Sequence, residues 1–200
     1  MVDFIYLASQ SPRRRQLLDQ LGVRYELLLP DRGEDAEALE VVYENEEPAN
    51  YVQRVTALKL DAALARMVKR NLLNAPVLCS DTTVALGQTV FGKPDDAAHA
   101  GRMLAALAGR SHQVLTAVAV QHGLQRFEAV NSSQVWIQAM TTAQITAYVD
   151  SGEPMGKAGA YAIQGKIAMH ITRIDGSHSG IMGLPLWETG LLLQAAGLKL

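Results

Sequence analysis

The stretch DFIYLASQSPRRRQLLDQLG, residues 3–22, decides the fold. Asp3 to Ala8 reads as a strand, and a tight connection then delivers the chain into a helix whose limits are written in its capping residues. Ser11 suits the N-cap, Pro12 the first helical position and Gly22 the stop, while Leu17, Leu18 and Leu21 supply an apolar stripe. A strand turning directly into a helix opens an α/β fold.

Working outward, a second strand runs from Tyr25 to Leu29 and ends at Pro30. An acidic stretch from Asp31 to Glu47 follows with no sustained period, and reads as a loop with a helical turn. From Pro48 to Leu73 the residues Tyr51, Val52, Val55, Leu58, Ala62 and Ala65 mark a helical face, closed by Asn74-Ala75-Pro76. Val77 to Ser80 is a short apolar run of the kind that forms a buried strand, continuing into Asp81-Thr82-Thr83-Val84-Ala85-Leu86. Gly87 and Gly92-Lys93-Pro94 mark a hairpin or turn, and Asp95 begins a helix that Gly109 ends. Two β-branched segments, Gln113 to Gln121 and Leu124 to Gln138, flank His122-Gly123 as an antiparallel hairpin. Thr141 and Gln144 form a capping box opening a helix to Asp150. Strands are expected over Tyr161 to Gln164 and Ile167 to Ile174, then a glycine-rich loop from Gly176 to Gly183 and a terminal helix from Pro185 to near Gly197. Strands and helices alternate with hairpins between them, which predicts a mixed-sheet α/β fold without internal repeats or flexible linkers.

The 200 residues, 48% hydrophobic and 19% charged, can bury a full core in one or two compact domains. Apolar runs are broken every few residues, far short of the ~18 a membrane helix needs, so no membrane is expected as a partner. Met1 to Leu7 carries an acid where a secretory signal would carry a base, and Cys79 is the single cysteine. A cytoplasmic protein is the expectation. With 18 basic residues against 20 acidic ones, no global field attracts a nucleic-acid polymer, and any anion must be bound locally. Eight of the acids fall between Asp31 and Glu47, while Arg13, Arg14 and Arg15 stand together.

Four places could carry chemistry. Ser9-Gln10-Ser11-Pro12-Arg13-Arg14 puts backbone N–H groups, hydroxyls and guanidinium groups at a helix N-terminus. The macrodipole disfavours arginines there by ~0.3–1 kcal/mol, so either they form a solvated basic face or a phosphate arrives between them. Lys59 falls on the apolar arc of its helix, where it either snorkels or meets an acid. Asp81, at the end of a buried strand, either terminates that strand or points into a ligand crevice, where it could hold Mg²⁺ or orient a water. Lys93 sits in a turn close enough to return to the same strand end. Glu34 and Asp35 are candidates for a second metal ligand, the other acids of that stretch reading as solvated charge. The five histidines show no paired spacing.

Five stretches in order then resemble the Maf family of nucleoside triphosphate pyrophosphatases: residues 7–14, Ser80-Asp81-Thr82-Thr83-Val84, Gly92-Lys93-Pro94, residues 157–165 (KAGAYAIQG), and Gly183-Leu184-Pro185-Leu186. The resemblance implies a single domain over residues 1–200. It further implies an elongated two-lobed fold similar to inosine triphosphate pyrophosphatases, with the active cleft between the lobes. It implies hydrolysis between the α- and β-phosphates of a small-molecule nucleoside triphosphate with a divalent cation, Mg²⁺ or Mn²⁺, and suggests a homodimer. Carried over residue by residue, Asp81 matches the proton acceptor, and Ser9, Arg13, Arg14, Lys59 and Lys93 match phosphate-handling positions. Asp81 and Glu34 are the implied metal ligands. Whether Asp81 acts mainly as base or as ligand stays open.

Within that family, Asp81-Thr82 and Tyr161-Ala162-Ile163-Gln164-Gly165 are similar to the branch acting on dTTP and UTP. The Gln164 amide offers both a donor and an acceptor, the complement of a uracil or thymine imide edge. Arg13, Thr82 and Gln164 form the implied specificity set. The alternatives are the branch acting on 7-methyl-GTP and a nucleotide-binding regulator of septum formation. Ser80 and the segment from Ser177 to Met182 depart from the branch pattern.

Overall fold

A computed structural model describes residues 3–31, 33–34 and 37–200, with the side chain of Glu37 not described. A seven-stranded mixed sheet forms its centre, as the alternation of strands, helices and hairpins predicts. In chain order the elements are β1 (Ile5–Leu7), α1 (Pro12–Gln20), β2 (Tyr25–Leu27), α2 (Pro48–Lys69), β3 (Val77–Leu86), β4 (Thr89–Phe91) and α3 (Ala97–Leu107). They continue with β5 (Ser111–His122), β6 (Gln125–Ile137), α4 (Thr142–Asp150), β7 (Ile171–Asp175), α5 (His178–Met182) and α6 (Leu186–Ala195). Short 3₁₀ turns occupy Glu37–Glu40, Ala158–Ala160 and Lys166–His170.

The sheet order is β2-β1-β3-β5-β6-β7, with β4 beside the far end of β3. β1 pairs parallel with β2 and β3, and the remaining pairs are antiparallel. β3 is covered by β5 from Val77 to Ala85. On its other edge it meets β1 only at Val77 and Leu78, and β4 only from Val84 to Leu86. The edge from residue 79 to residue 83 has no strand beside it among the described residues. The crevice therefore opens at the carboxyl end of a parallel strand where its neighbours part, the usual ligand position in α/β sheets.

Alternation along β3 sends its side chains to two different layers. Cys79 packs with Leu60 and Ala63, and Ala85 with Val52 and Val55, so that face is covered by α2. Leu78 and Val84 belong to the main core, which includes Leu104 and Leu107 of α3, Ile181 and Met182 of α5, and Leu193 of α6. No helix among the described residues is long and apolar enough to cross a membrane.

Several local expectations are borne out. Pro12 opens α1, and Thr141 and Gln144 form the reciprocal capping box of α4; the helix expected from Asp95 begins at Ala97, with Asp96 capping it by accepting from the His99 amide. Others are corrected. Residues Tyr161 to Gln164 are not a strand: the chain turns, the Gly165 amide donating to the Ala162 carbonyl at 2.8 Å, and side-chain oxygens of Tyr148 and Glu153 take neighbouring amides that a strand would have offered to a ladder. Only Ile171–Asp175 of the next expected strand is extended, because residues 166–170 tighten into a 3₁₀ turn. The glycine-rich loop contains α5, capped by Ser177 and stopped by Gly183 at φ +119°. α2 ends at Lys69, and its inner face carries Val52, Thr56, Leu60, Ala63 and Arg66, whereas Leu58 and Ala65 are exposed. The rotation follows from charge: Lys59 and Arg66 lie towards the sheet because acids meet them there.

His112 of β5 is buried, its Nε2 2.7 Å from the Tyr161 hydroxyl and its Nδ1 without a partner among the described residues. Burial pushes the imidazole down to about 4 from its ordinary 6.5. Between those values the unfolded chain binds more protons than the folded one, so this residue's contribution is complete above pH 6.5 and is lost as pH falls towards 4. The thermal midpoint is expected to fall from pH 6.5 to 5, and His112→Gln to flatten that fall. A wild-type midpoint that stays level across this range would contradict the account.

Candidate active site

A cleft of about 1310 Å³ opens beside the bare edge of β3. Ser9, Arg13, Arg14, Glu34, Lys59, Asp81, Thr82, Lys93 and Gln164, the residues singled out from the sequence, all line it. They do not form one cluster, because the alternation of β3 divides them between two walls.

On the α2 wall, Asp81 is 8% exposed and its Oδ1 accepts from Lys59 Nζ at 2.5 Å. The same ammonium donates to Glu40 Oε1 at 2.7 Å, and Lys93 Nζ lies 3.2 Å from the Glu40 carboxylate. The inward-facing Lys59 thus has its negative partners. Burial works to raise the Glu40 carboxyl, but the charges and hydrogen bonds of Lys59 and Lys93 outweigh it and hold the group below its ordinary value. Two hard oxygen donors converge on one positive charge here, which fits Mg²⁺ or Mn²⁺. No group of three or more His, Cys, Asp or Glu among the described residues could hold a metal, so a cation would need a substrate's oxygens to complete its shell.

Glu40, not singled out from the sequence, is the carboxylate beside Asp81. Glu34 instead pairs with Arg66, whose guanidinium is buried and also donates to the Leu28 carbonyl at 2.8 Å. Asp35 lies outside the described residues. The acidic stretch is a strap laid along α2: Asp31 with Lys69 and Arg70, Glu34 with Arg66, Glu40 with Lys59, and Glu46 with Arg54. Acids ascend as bases descend. The sequence signal was available in the reversed spacing of bases on α2, but it needed the strap's direction to be read. Three of the acids expected to be plain solvated charge, Asp31, Glu40 and Glu46, are therefore partnered by bases.

The other wall is built from α1, α5 and the outer alternation of β3. Arg14 Nε donates to the Gly183 carbonyl at 2.7 Å, Nη1 to Ser9 Oγ at 3.1 Å and Nη2 to Thr82 Oγ1 at 3.4 Å. Thr82 and Thr116 hydroxyls lie 2.9 Å apart, and Thr116 donates to the Gly180 carbonyl at 2.8 Å. This order directs each proton one way: Thr82 accepts from Arg14 and donates to Thr116. Ser9 Oγ accepts from the Ser11 amide and Arg14, leaving its own proton to donate to an incoming oxygen. Arg13 Nε donates to the Met182 carbonyl at 3.1 Å. Burial lowers the pKa of both arginines, Arg13 adding to that effect on Arg14 while Asp81 opposes it.

Lys157, present in a family-like stretch but given no role from the sequence, also lines the cleft. Its ammonium donates to the Glu153 and Met155 carbonyls, and burial followed by the charge of Arg13 lowers its pKa. Gln164 is exposed to the cleft in the turn from Ala162 to Gly165. Chemically, one wall can hold a hard cation and an ionised carboxylate, and the other an anion.

A family model described as Maf-like protein matches residues 4–196. A dTTP/UTP pyrophosphatase of Polaromonas sp. (strain JS666) is 64% identical over 198 residues, covering 99% of this chain and 98% of that protein. The dTTP/UTP pyrophosphatase of Albidiferax ferrireducens is 62% identical over 199 residues and covers 100% of both chains. Among solved structures, the Staphylococcus aureus Ham1 protein matches with a TM-score of 0.36 and 14% identity, over 66% of this chain and 71% of that one.

Arg66→Met removes the strap's buried anchor and is expected to lower the unfolding free energy by about 1–2 kcal/mol in a urea titration. An unchanged midpoint would mean that the pair with Glu34 contributes nothing to the fold.

Proposed function

The chain belongs to the Maf family, and from that membership we propose that it hydrolyses dTTP and UTP to the nucleoside monophosphate and pyrophosphate. The observation that carries this reading is the sharing of Lys59 between Asp81 and Glu40 in a cleft whose opposite wall presents Arg13 and Arg14. The relatives' activity supports the substrate class, and the Gln164 amide supports pyrimidines over 7-methylguanine because it can donate to and accept from one imide edge.

Arg13, Arg14 and Ser9 take the phosphate oxygens, and Lys157 stands beside Arg13 to share the charge of the chain. Lys93 reaches the same oxygens from the Glu40 side. Asp81 orients a water towards the α-phosphorus. The Lys59 ammonium at 2.5 Å fixes this carboxylate in place, so that it holds the water while charge moves onto the leaving group. The water oxygen forms a bond to the α-phosphorus, the α–β bridging bond breaks, and pyrophosphate leaves with that electron pair. Asp81 accepts the water's proton and releases it to solvent. Asp81 and Glu40, together with the substrate's oxygens, would hold Mg²⁺ or Mn²⁺, which would supply Lewis-acid polarisation of the phosphoryl group when bound. Lys59 keeps the two carboxylates in register.

Base selection rests on Arg13, Thr82 and Gln164. Thr82 acts through the hydrogen-bonded line from Arg14 to Thr116, and Gln164 meets the base directly.

The test is product analysis of dTTP, UTP, CTP, GTP and 7-methyl-GTP incubated with protein and Mg²⁺ or Mn²⁺. Monophosphate and pyrophosphate from dTTP and UTP are expected. Cleavage confined to 7-methyl-GTP would overturn the base assignment, and binding of dTTP without cleavage would favour a regulator. Asp81→Asn and Glu40→Gln are each expected to cost about 100-fold or more in kcat, as loss of a transition-state contact does, with nucleotide binding largely kept. Glu34→Gln is expected to keep most turnover, because its carboxylate serves Arg66. Equal losses in Glu34→Gln and Glu40→Gln would return the ligand role to Glu34. Gln164→Glu is expected to lose activity on pyrimidine substrates specifically, which kcat/KM across the same panel would read.

A further inference from the structure

Gln164 stands at the third position of a four-residue turn, Ala162 to Gly165, closed by the Gly165 amide on the Ala162 carbonyl. A side chain in a turn is only as well placed as the turn, and this one has no strand beside it among the described residues. Both of its ends are nevertheless gripped by side chains from outside. At the start, the Ala162 amide donates to the Tyr148 hydroxyl at 3.3 Å. Just past the end, the Lys166 amide donates to both oxygens of the Glu153 carboxylate at 3.1 Å. The two grips are joined, since the Tyr148 hydroxyl donates to Glu153 Oε1 at 2.7 Å.

The packing around this pair leaves no slack. Tyr148 is buried, and burial together with the adjacent carboxylate raises its pKa far above ordinary, which keeps its proton in place as the donor. A Cβ on Gly165 would stand 2.0 Å from Glu153 Oε1, so only glycine lets the carboxylate approach the turn. The other central residue of the turn, Ile163, is sunk in the main core, which fixes the turn's rotation and leaves Gln164 facing the cleft. Lys157 closes the unit by donating to the Glu153 carbonyl.

We propose that Tyr148 and Glu153 are positioning residues for base selection, clamping both ends of the Ala162–Gly165 turn so that the Gln164 amide is held where it can read the base. This rests on the reading that Gln164 meets the base. Neither residue touches substrate, and their effect passes through the turn. A carboxylate suits the task because it accepts on two oxygens at once. A glutamine would turn an NH₂ towards the Lys166 amide and lose one acceptor.

The readout is base selectivity, the ratio of kcat/KM for dTTP to that for GTP, which a uniform loss of folded protein does not move. Glu153→Gln is expected to lower that ratio about tenfold, the size of one well-aligned hydrogen bond to the base. Tyr148→Phe keeps the ring and is expected to shift the ratio in the same direction, which secures the test if Glu153→Gln folds poorly. Placed on Gln164→Ala, neither change is expected to lower the ratio further. If Gln164→Ala lowers the ratio while Glu153→Gln and Tyr148→Phe leave it at the wild-type value, the clamp is overturned and the base reading survives. If Gln164→Ala leaves the ratio unchanged, the base reading falls, and the clamp's role in selection with it.

Discussion

The cleft depends on one imbalance in strand pairing. β3 is paired along nearly its whole length with β5, yet among the described residues its other edge is covered only near its two ends. Both short neighbours are stopped by their own sequences: β1 runs into the turn and proline that begin α1, and β4 into Gly92-Lys93-Pro94. An open strand edge is normally a liability, and here it is the floor of the cleft. Period-two alternation then sends Asp81 and Thr82 to opposite layers, so one strand supplies both an acidic wall and a wall that meets Arg14.

The acidic wall needs a second element, and charge holds it. Exposed ion pairs are worth ~0–1 kcal/mol each, so no single pair along α2 fixes the strap. Their order does. Asp31, Glu34, Glu40 and Glu46 meet Arg70, Arg66, Lys59 and Arg54 in reversed sequence, with the buried Arg66 as the firm point. The Tyr51 hydroxyl donates to the Glu40 carbonyl, and Arg54 donates to the Val41 carbonyl and lies over the Tyr43 ring. Glu40 is therefore placed from both sides, by backbone bonds and by its own pair with Lys59.

Much of this was legible in the sequence where the signal is local. Capping residues marked α1 and α4, β-branched runs around His122-Gly123 marked the hairpin, and Asp81 at the end of a buried run pointed to the crevice. The strap was not legible, because hydrophobic periodicity sees nothing in a segment organised by charge. For the same reason Glu34 stood out and Glu40 did not: both are acids in an aperiodic stretch, and only the direction of the strap says which reaches Asp81. The face of α2 was misjudged where apolar residues were counted at Leu58 and Ala65, which are exposed, while Arg66 points inward. Tyr161 to Gln164 has the composition of a strand but no strand to pair with among the described residues, and the Ala162 and Lys166 amides go to Tyr148 and Glu153 instead.

The distribution of charge along the cleft bears on what it binds. Among the described residues, Lys59 and Lys93 face Asp81 and Glu40, two bases against two acids, and these charges are balanced. Arg13, Arg14 and Lys157 send their hydrogen bonds to carbonyls and hydroxyls, which satisfy donors without cancelling charge. Burial lowers the pKa of each of the three, so the fold holds these charges at a cost. An anion seated there offsets that cost, whereas a second cation would add to it. At the balanced end an arriving cation brings charge that the two carboxylates can meet only if further oxygens come with it. A ligand carrying an anionic chain and a hard cation together satisfies both ends at once, and neither component alone does so. That demand follows from the placement of the charges on the two faces of β3.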